Sequence, residues 1–172
     1  MKKSIPLLLS FLLSAGLASA HAAAPNDAEI AAIVVAANAV DIDAGKLAQS
    51  RTGSKTVRAF AERMVADHTS VNQQAAALVQ KLNVTPSEND TSKGLKKDGG
   101  ATLAKLKGMS GKAFDKAYVD NEVAYHQTVL DALDKTLIPN AANAELKALL
   151  VKVRPAFVAH LEHARHLQGE LK

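Results

Sequence analysis

The sequence predicts an all-α protein in which four long helices pack as a bundle, with a long crossover between the second and the third. Two observations carry that expectation. The chain is 48% hydrophobic yet only 3% aromatic and has no Trp, so its apolar mass is Ala, Leu and Val, which suits close-packed helices better than sheets. Apolar residues also recur at alternating gaps of three and four, the spacing that puts them on one buried face of a helix. One such seam is Val57, Ala61, Met64, His68, Val71, Ala75, Leu78 and Leu82, and another is Val119, Val123, His126, Leu130, Leu133 and Leu137. A third runs Asn143, Leu146, Leu150, Val153, Phe157, His160, Ala164, Leu167 and Leu171. At 172 residues the chain is about one domain long and can bury a real core.

The elements follow in order. Lys2 and Lys3, the apolar run Ile5 to Leu17 and then Ala18-Ser19-Ala20 have the pattern of a secretory signal over residues 1–20, with Ala22-Ala23-Ala24 offering a later cut at residue 24. The apolar run is short for a span of about 20 residues, and no second run follows it, so no transmembrane span is expected after signal removal. Residues 26–171 form the expected bundle domain. Asn26 can cap helix 1 with Glu29 completing a capping box, and Ile33, Ala37, Val40, Ala44 and Leu47 make its seam with Asp41 at the edge. Helix 1 runs to about Gln49, where Gly53 is the expected C-terminal cap. So short a turn makes helices 1 and 2 an antiparallel hairpin. Helix 2 spans about Lys55 to Leu82 and is stopped by Asn83 and Pro86.

Pro86 to Gly111 is polar and glycine-rich and reads as a loop with one short helix at Thr102 to Lys107. Its length suits a crossover that travels the whole bundle and makes helices 2 and 3 parallel. Helix 3 starts near Ser110 and ends before Pro139. Helix 4 follows Asn143 and contains Pro155, which removes one backbone hydrogen bond and predicts a kink near Val151. Hairpin, long crossover, hairpin is the connectivity of a ferritin-like four-helix bundle, and that is the fold class expected.

Three stretches carry a resemblance: Phe60-Ala61-Glu62-Arg63-Met64-Val65-Ala66-Asp67-His68, Phe114-Asp115-Lys116-Ala117-Tyr118-Val119, and Pro155 to Leu167 with its Pro-x4-His-Leu-x2-Ala pattern. In this order they resemble a large bacterial family of exported, ferritin-like proteins, mostly labelled domains of unknown function or predicted outer-membrane proteins. The likeness spans about Ala28 to Leu167. It implies a ferritin-like bundle and an envelope location, and supplies no activity. Where the family tends to carry a glutamate before the Gly-x-Leu-Ala turn of helix 1, this chain has Asp41 and Asp43 before Gly45-Lys46-Leu47-Ala48, a shorter carboxylate with less reach.

Three seams each aim one imidazole inward, and that sets the candidate chemistry. His68, His126 and His160 meeting in an apolar core, with Asp41 or Glu122 assisting, would suit a transition metal such as Zn, Cu, Fe or Ni. There are no cysteines, so thiolate is excluded as a ligand and disulfides as staples. Counting about 1.5 Å per residue puts His68 and His126 at similar heights but leaves His160 offset by about 9 Å, with Glu122 at the better level. The alternative is a structural or stress-related envelope protein whose imidazoles hydrogen-bond to Asp41, Asp67, Glu122, Tyr118 or Tyr125. There is no Glu-x-x-His, the signature of di-iron bundles; Glu122-x-x-x-His126 has the i,i+4 spacing instead. Met64 lies one turn before His68 and reads as core filling rather than a Cu(I) ligand, and His163 with His166 reads as an exposed pair.

The net charge of +4 falls to +2 without Lys2 and Lys3, and the Lys93 to Lys116 cluster lacks interleaved aromatics. Nucleic acid is therefore not an expected partner; an envelope protein or membrane surface is the partner class considered. No nucleophile and base arrangement and no phosphate-cradling loop stand out. The expectation is an exported, periplasmic bundle that binds a transition metal, Zn, Cu or Fe, without catalytic turnover.

Overall fold

A computed structural model describes residues 23–171 of the chain. The expected signal, residues 1–20, and His21 lie outside the described residues. These are all-α: five long helices and no strand among them. Helix α1 spans Asp27–Arg51, α2 Lys55–Lys81, α3 Asp90–Lys107 and α4 Gly111–Ala132; a π-helical turn Leu133–Leu137 and a short helix α5, Ile138–Asn140, follow, and α6 spans Ala144–Glu170.

Helix α1 begins as its sequence predicts, with Asn26 and Glu29 closing a capping box. Its end differs. Thr52 turns extended, its N–H bonding to the Ala48 carbonyl, and Arg58 of α2 donates to the carbonyls of Gln49 and Thr52. A guanidinium satisfies the orphan carbonyls, so Gly53 takes no left-handed capping role. The left-handed residue at the end of α2 is Asn83, at φ 52°.

The larger correction is α3. The segment read mostly as loop is an 18-residue helix, capped by Asn89 with Ser92 in a reciprocal box. Gly94, Gly99 and Gly100 hid it, since each glycine in a helix interior costs about 1 kcal/mol against alanine. Tertiary packing overrides that propensity: α3 lies along α1, where Gly99 lets the two backbones close in, and a Cβ added there would stand 2.6 Å from a Val40 methyl.

The rod after α4 does not stop before Pro139 either. Proline has no N–H to offer the Lys135 carbonyl, and the chain passes this point by widening into the π turn, in which Ile138 N–H bonds to the Leu133 carbonyl. Asn140 Nδ2 then donates to the Thr136 carbonyl at 2.7 Å, and Ala141 N–H to that of Leu137 at 3.0 Å. Helix α6, capped by Asn143, continues through Pro155 to Glu170.

Two apolar clusters fill the bundle. One joins Ile30, Ile33 and Val34 to Val71, Leu130, Leu133 and Leu146 through Phe157; the other joins Ala44 and Ala48 to Phe60, Phe114, Tyr118, Ala164 and Leu167. Residue numbers rise from the first cluster to the second in α1 and α6 and fall in α2 and α4, so α2 and α4 run alike and antiparallel to the other two. Helix α3 carries the chain back between them, Leu95 packing on the first cluster and Leu103 on the second. Between the clusters lies a polar belt, and that belt holds Asp41, His68, Glu122, His126 and His160.

Candidate metal centre

The five belt residues come from four helices and are almost wholly buried: Asp41 is 1% exposed, His68 2%, Glu122 and His126 0%, and His160 1%. The three imidazoles form a tight triangle, with ring centroids 5.5 Å apart for His68 and His126, 5.2 Å for His68 and His160, and 5.4 Å for His126 and His160. The expected 9 Å offset of His160 therefore does not arise. Because the helical rod continues to Asn140, His126 lies fourteen residues before its end and His160 sixteen after Ala144, the first residue of α6. Two residues of difference is about 3 Å, and a side chain absorbs it.

Each ring spends one nitrogen on a hydrogen bond. His68 Nδ1 donates to Asn38 Oδ1 at 2.7 Å, and the Asn38 amide is itself turned by its Nδ2 donating to the Val34 carbonyl at 2.8 Å. His126 Nδ1 donates to the Glu122 carbonyl at 3.0 Å. His160 Nε2 donates to Asp67 Oδ2 at 2.8 Å. An amide oxygen, a carbonyl and a carboxylate can only accept, so the partner fixes the tautomer in all three rings.

The other nitrogen of each ring, Nε2 of His68, Nε2 of His126 and Nδ1 of His160, is buried without a hydrogen-bond partner. One ligand atom from each ring lies within 4.8 Å of the others. Asp41 belongs to the same space: its Oδ2 stands 3.0 Å from His68 Nε2 and 3.5 Å from His126 Nε2, yet neither of its oxygens is aligned for a hydrogen bond. Glu122 Oε2 is 3.5 Å from His126 Nδ1 and also unpartnered, and Asp41, Glu122 and His126 form a second grouping with metal-ligand spacing. The shorter carboxylate of Asp41 reaches the histidines from a fully buried position, because α1 is packed on two sides, by α3 and by the bundle, and the edge of its expected seam is interior.

Charge in the belt is divided. Burial pushes the Asp41 carboxyl up, but the charge and proximity of His68, with the fields of His126 and His160, outweigh it and hold it below the usual carboxylate range. Burial and then the Asp41 charge push Glu122 well up. Burial lowers His126, and lowers His160 to about 4 against the pull of Asp67. Burial likewise raises the Tyr118 phenol, whose hydroxyl has no partner, while Tyr125 donates to the Ala37 carbonyl at 2.8 Å.

Chemically, a buried set of imidazole nitrogens with a carboxylate beside them could hold a transition-metal ion. Met64 is 0% exposed in the apolar cluster, and His163 packs edge-on against Phe60 at 5.1 Å rather than standing free. His166 is exposed beside Glu170 at 3.3 Å. The sequence reading missed Asn38. A lone amide three residues before Asp41 on an otherwise apolar face was the available signal.

Among the described residues no helix is long and apolar enough to cross a membrane. No curated protein matches the chain. A solved structure that it resembles is the crystal structure of a DUF305 fragment from Deinococcus radiodurans, with a TM-score of 0.71, 15% identity, and coverage of 86% of this chain and 99% of that one, a likeness that speaks for the fold. Residues 12–167 match the family described as Domain of unknown function (DUF4142), and the chain belongs to that family.

Proposed function

We propose that this protein binds a transition-metal ion, Zn, Cu or Fe, through His68, His126 and His160, with Asp41 as a fourth donor and Glu122 assisting, and that it does so without catalytic turnover in a ferritin-like bundle. The observation that carries the reading is the division of labour within each ring: one nitrogen committed to an acceptor, the other buried and free. Ligating histidines are oriented in this way, their second N–H donating to a carboxylate, carbonyl or amide. With each ring neutral and its tautomer so fixed, three lone pairs converge beside the Asp41 carboxylate. An unpaired buried carboxylate costs several kcal/mol, and a cation removes that cost. Four protein donors would close the coordination sphere, as in a binding site rather than a hydrolytic one. The parallel course of α2 and α4 supports the ferritin-like arrangement, and the pattern of residues 1–20 supports export to the periplasm or envelope, with the mature domain at 26–171.

A second reading has its own support. His68 Nε2 and Asp41 Oδ2 at 3.0 Å fit an imidazolium–carboxylate pair, and the belt would then be core architecture in an envelope protein that acts through a partner. Metal content separates the two. Protein purified without a histidine tag or chelators is expected to carry a stoichiometric ion by mass spectrometry, absent from a His68→Ala/His126→Ala variant that keeps its helical spectrum. No ion in the wild type after incubation with Zn, Cu and Fe would overturn the metal reading and leave the ion pair.

A further inference from the structure

Beside the belt is a cavity of about 130 Å³. Val71, Leu133, Leu137, Leu150, Val153 and Phe157 supply its apolar body, and Asp41, His68 and His126 lie at its margin. The wall it exposes is apolar throughout. Asn38, Thr91, Tyr125 and Thr128 also border it, but a water in the apolar body, away from the belt, would lack the two to four polar partners that make burial tolerable, whereas dry apolar cavities of about 150 Å³ bind benzene or xenon. Packing to ordinary density leaves few voids of this size in a small domain, and this one is shaped by an irregular element: Leu133 and Leu137, the two ends of the π turn, both face it. Local π turns inside helices are frequent at functional sites.

We propose that this cavity binds a small, uncharged, apolar molecule, between a diatomic gas and benzene in size, against the histidine cluster. The volume sets the upper limit, since drug-sized ligands need about 300 Å³ or more. The apolar wall excludes ions and hydrogen-bonding solutes, which would lose their hydration without replacement. Such a molecule would reach the edge of His68 and His126 without displacing the acceptors that orient them. The inference rests on the metal reading only for what the guest meets there; the cavity is formed by apolar side chains.

The test uses xenon as probe on metal-free wild-type protein, followed by methyl NMR. The expected result is saturable shifts at the methyls of Val71, Leu133, Leu137 and Val153, with affinity weakened at least tenfold in Leu133→Phe and in Val153→Phe, each first checked for its helical spectrum. Shifts absent from these methyls, or unchanged in a folded filled variant, would overturn the proposal. Since the ion is absent from this experiment, a failed cavity leaves the metal-content result untouched, and a failed metal reading leaves the xenon result standing.

Discussion

Asn38 shows how much of the belt depends on a residue that would touch no ion. Its amide oxygen takes the His68 Nδ1 proton at 2.7 Å because its nitrogen is held by the Val34 carbonyl. Asn38→Ala leaves that N–H buried and lets the ring turn, so metal affinity is expected to fall by about 10–100-fold, measured by competition with a chromogenic chelator, with the helical spectrum retained. Unchanged affinity would mean that His68 is oriented by packing alone. The three histidines were legible in the sequence because each interrupts an apolar seam that the helix must bury. Asp41 was legible only as an edge residue, since a single-helix pattern cannot show that a fifth helix covers the other side. The orientation of the rings was not legible, because it is set by an amide, a carbonyl and a carboxylate that no spacing rule connects to them.

Helix α3 is the element on which composition misled. Three glycines in 18 residues argue against a helix, and the capping pair Asn89 and Ser92 was the local signal in its favour. The glycines are not equivalent. A Cβ at Gly99 meets the stiff, β-branched Val40 at 2.6 and 2.8 Å, whereas one at Gly94 or Gly100 meets nothing within 4 Å. Gly94→Ala and Gly100→Ala are therefore expected to stabilise the protein by about 0.5–1 kcal/mol each through helix propensity. Gly99→Ala should reverse the sign, overpacking costing about 1–3 kcal/mol against the same gain. Urea unfolding of the three variants checks this; a stabilised Gly99→Ala would mean that α3 can shift away from α1 freely. The π turn was likewise beyond pattern reading, since Pro139 signals a stop and the chain instead bypasses it.

For the molecule as a whole, the ends of the bundle are fastened by polar contacts. Asp27 at the start of α1 accepts the N–H groups of Ala142 and Asn143, both at 2.9 Å, joining the first helix to the turn before the last. Nearby, Arg154 forks onto Asp134 at 2.6 and 2.7 Å and ties the π turn to α6. The hydrogen bond from Arg154, followed by its charge, holds the Asp134 carboxyl below the usual range. A depressed carboxylate contributes stability that is present above its unfolded pKa and lost as pH falls through the folded one. Asp134→Asn should thus melt slightly below wild type at neutral pH, and the two curves should converge below the usual carboxylate range. As the pair is exposed, added salt should also narrow the gap. A gap that persisted in acid would assign the effect to something other than this ion pair. The hairpin, crossover and hairpin were readable because connection lengths constrain topology; these fastenings were not, since each joins residues far apart in the chain.

The position of the two tyrosines gives the protein its own optical reporter. With no Trp, near-ultraviolet emission comes from Tyr118 and Tyr125 alone, and both stand on the stretch of α4 that also carries Glu122 and His126. Every emitting ring is therefore a short distance from the belt. A paramagnetic ion such as Cu(II) arriving among the histidines would darken the whole signal, while a closed-shell ion such as Zn would leave it bright, so that unlabelled protein can distinguish the two in a cuvette.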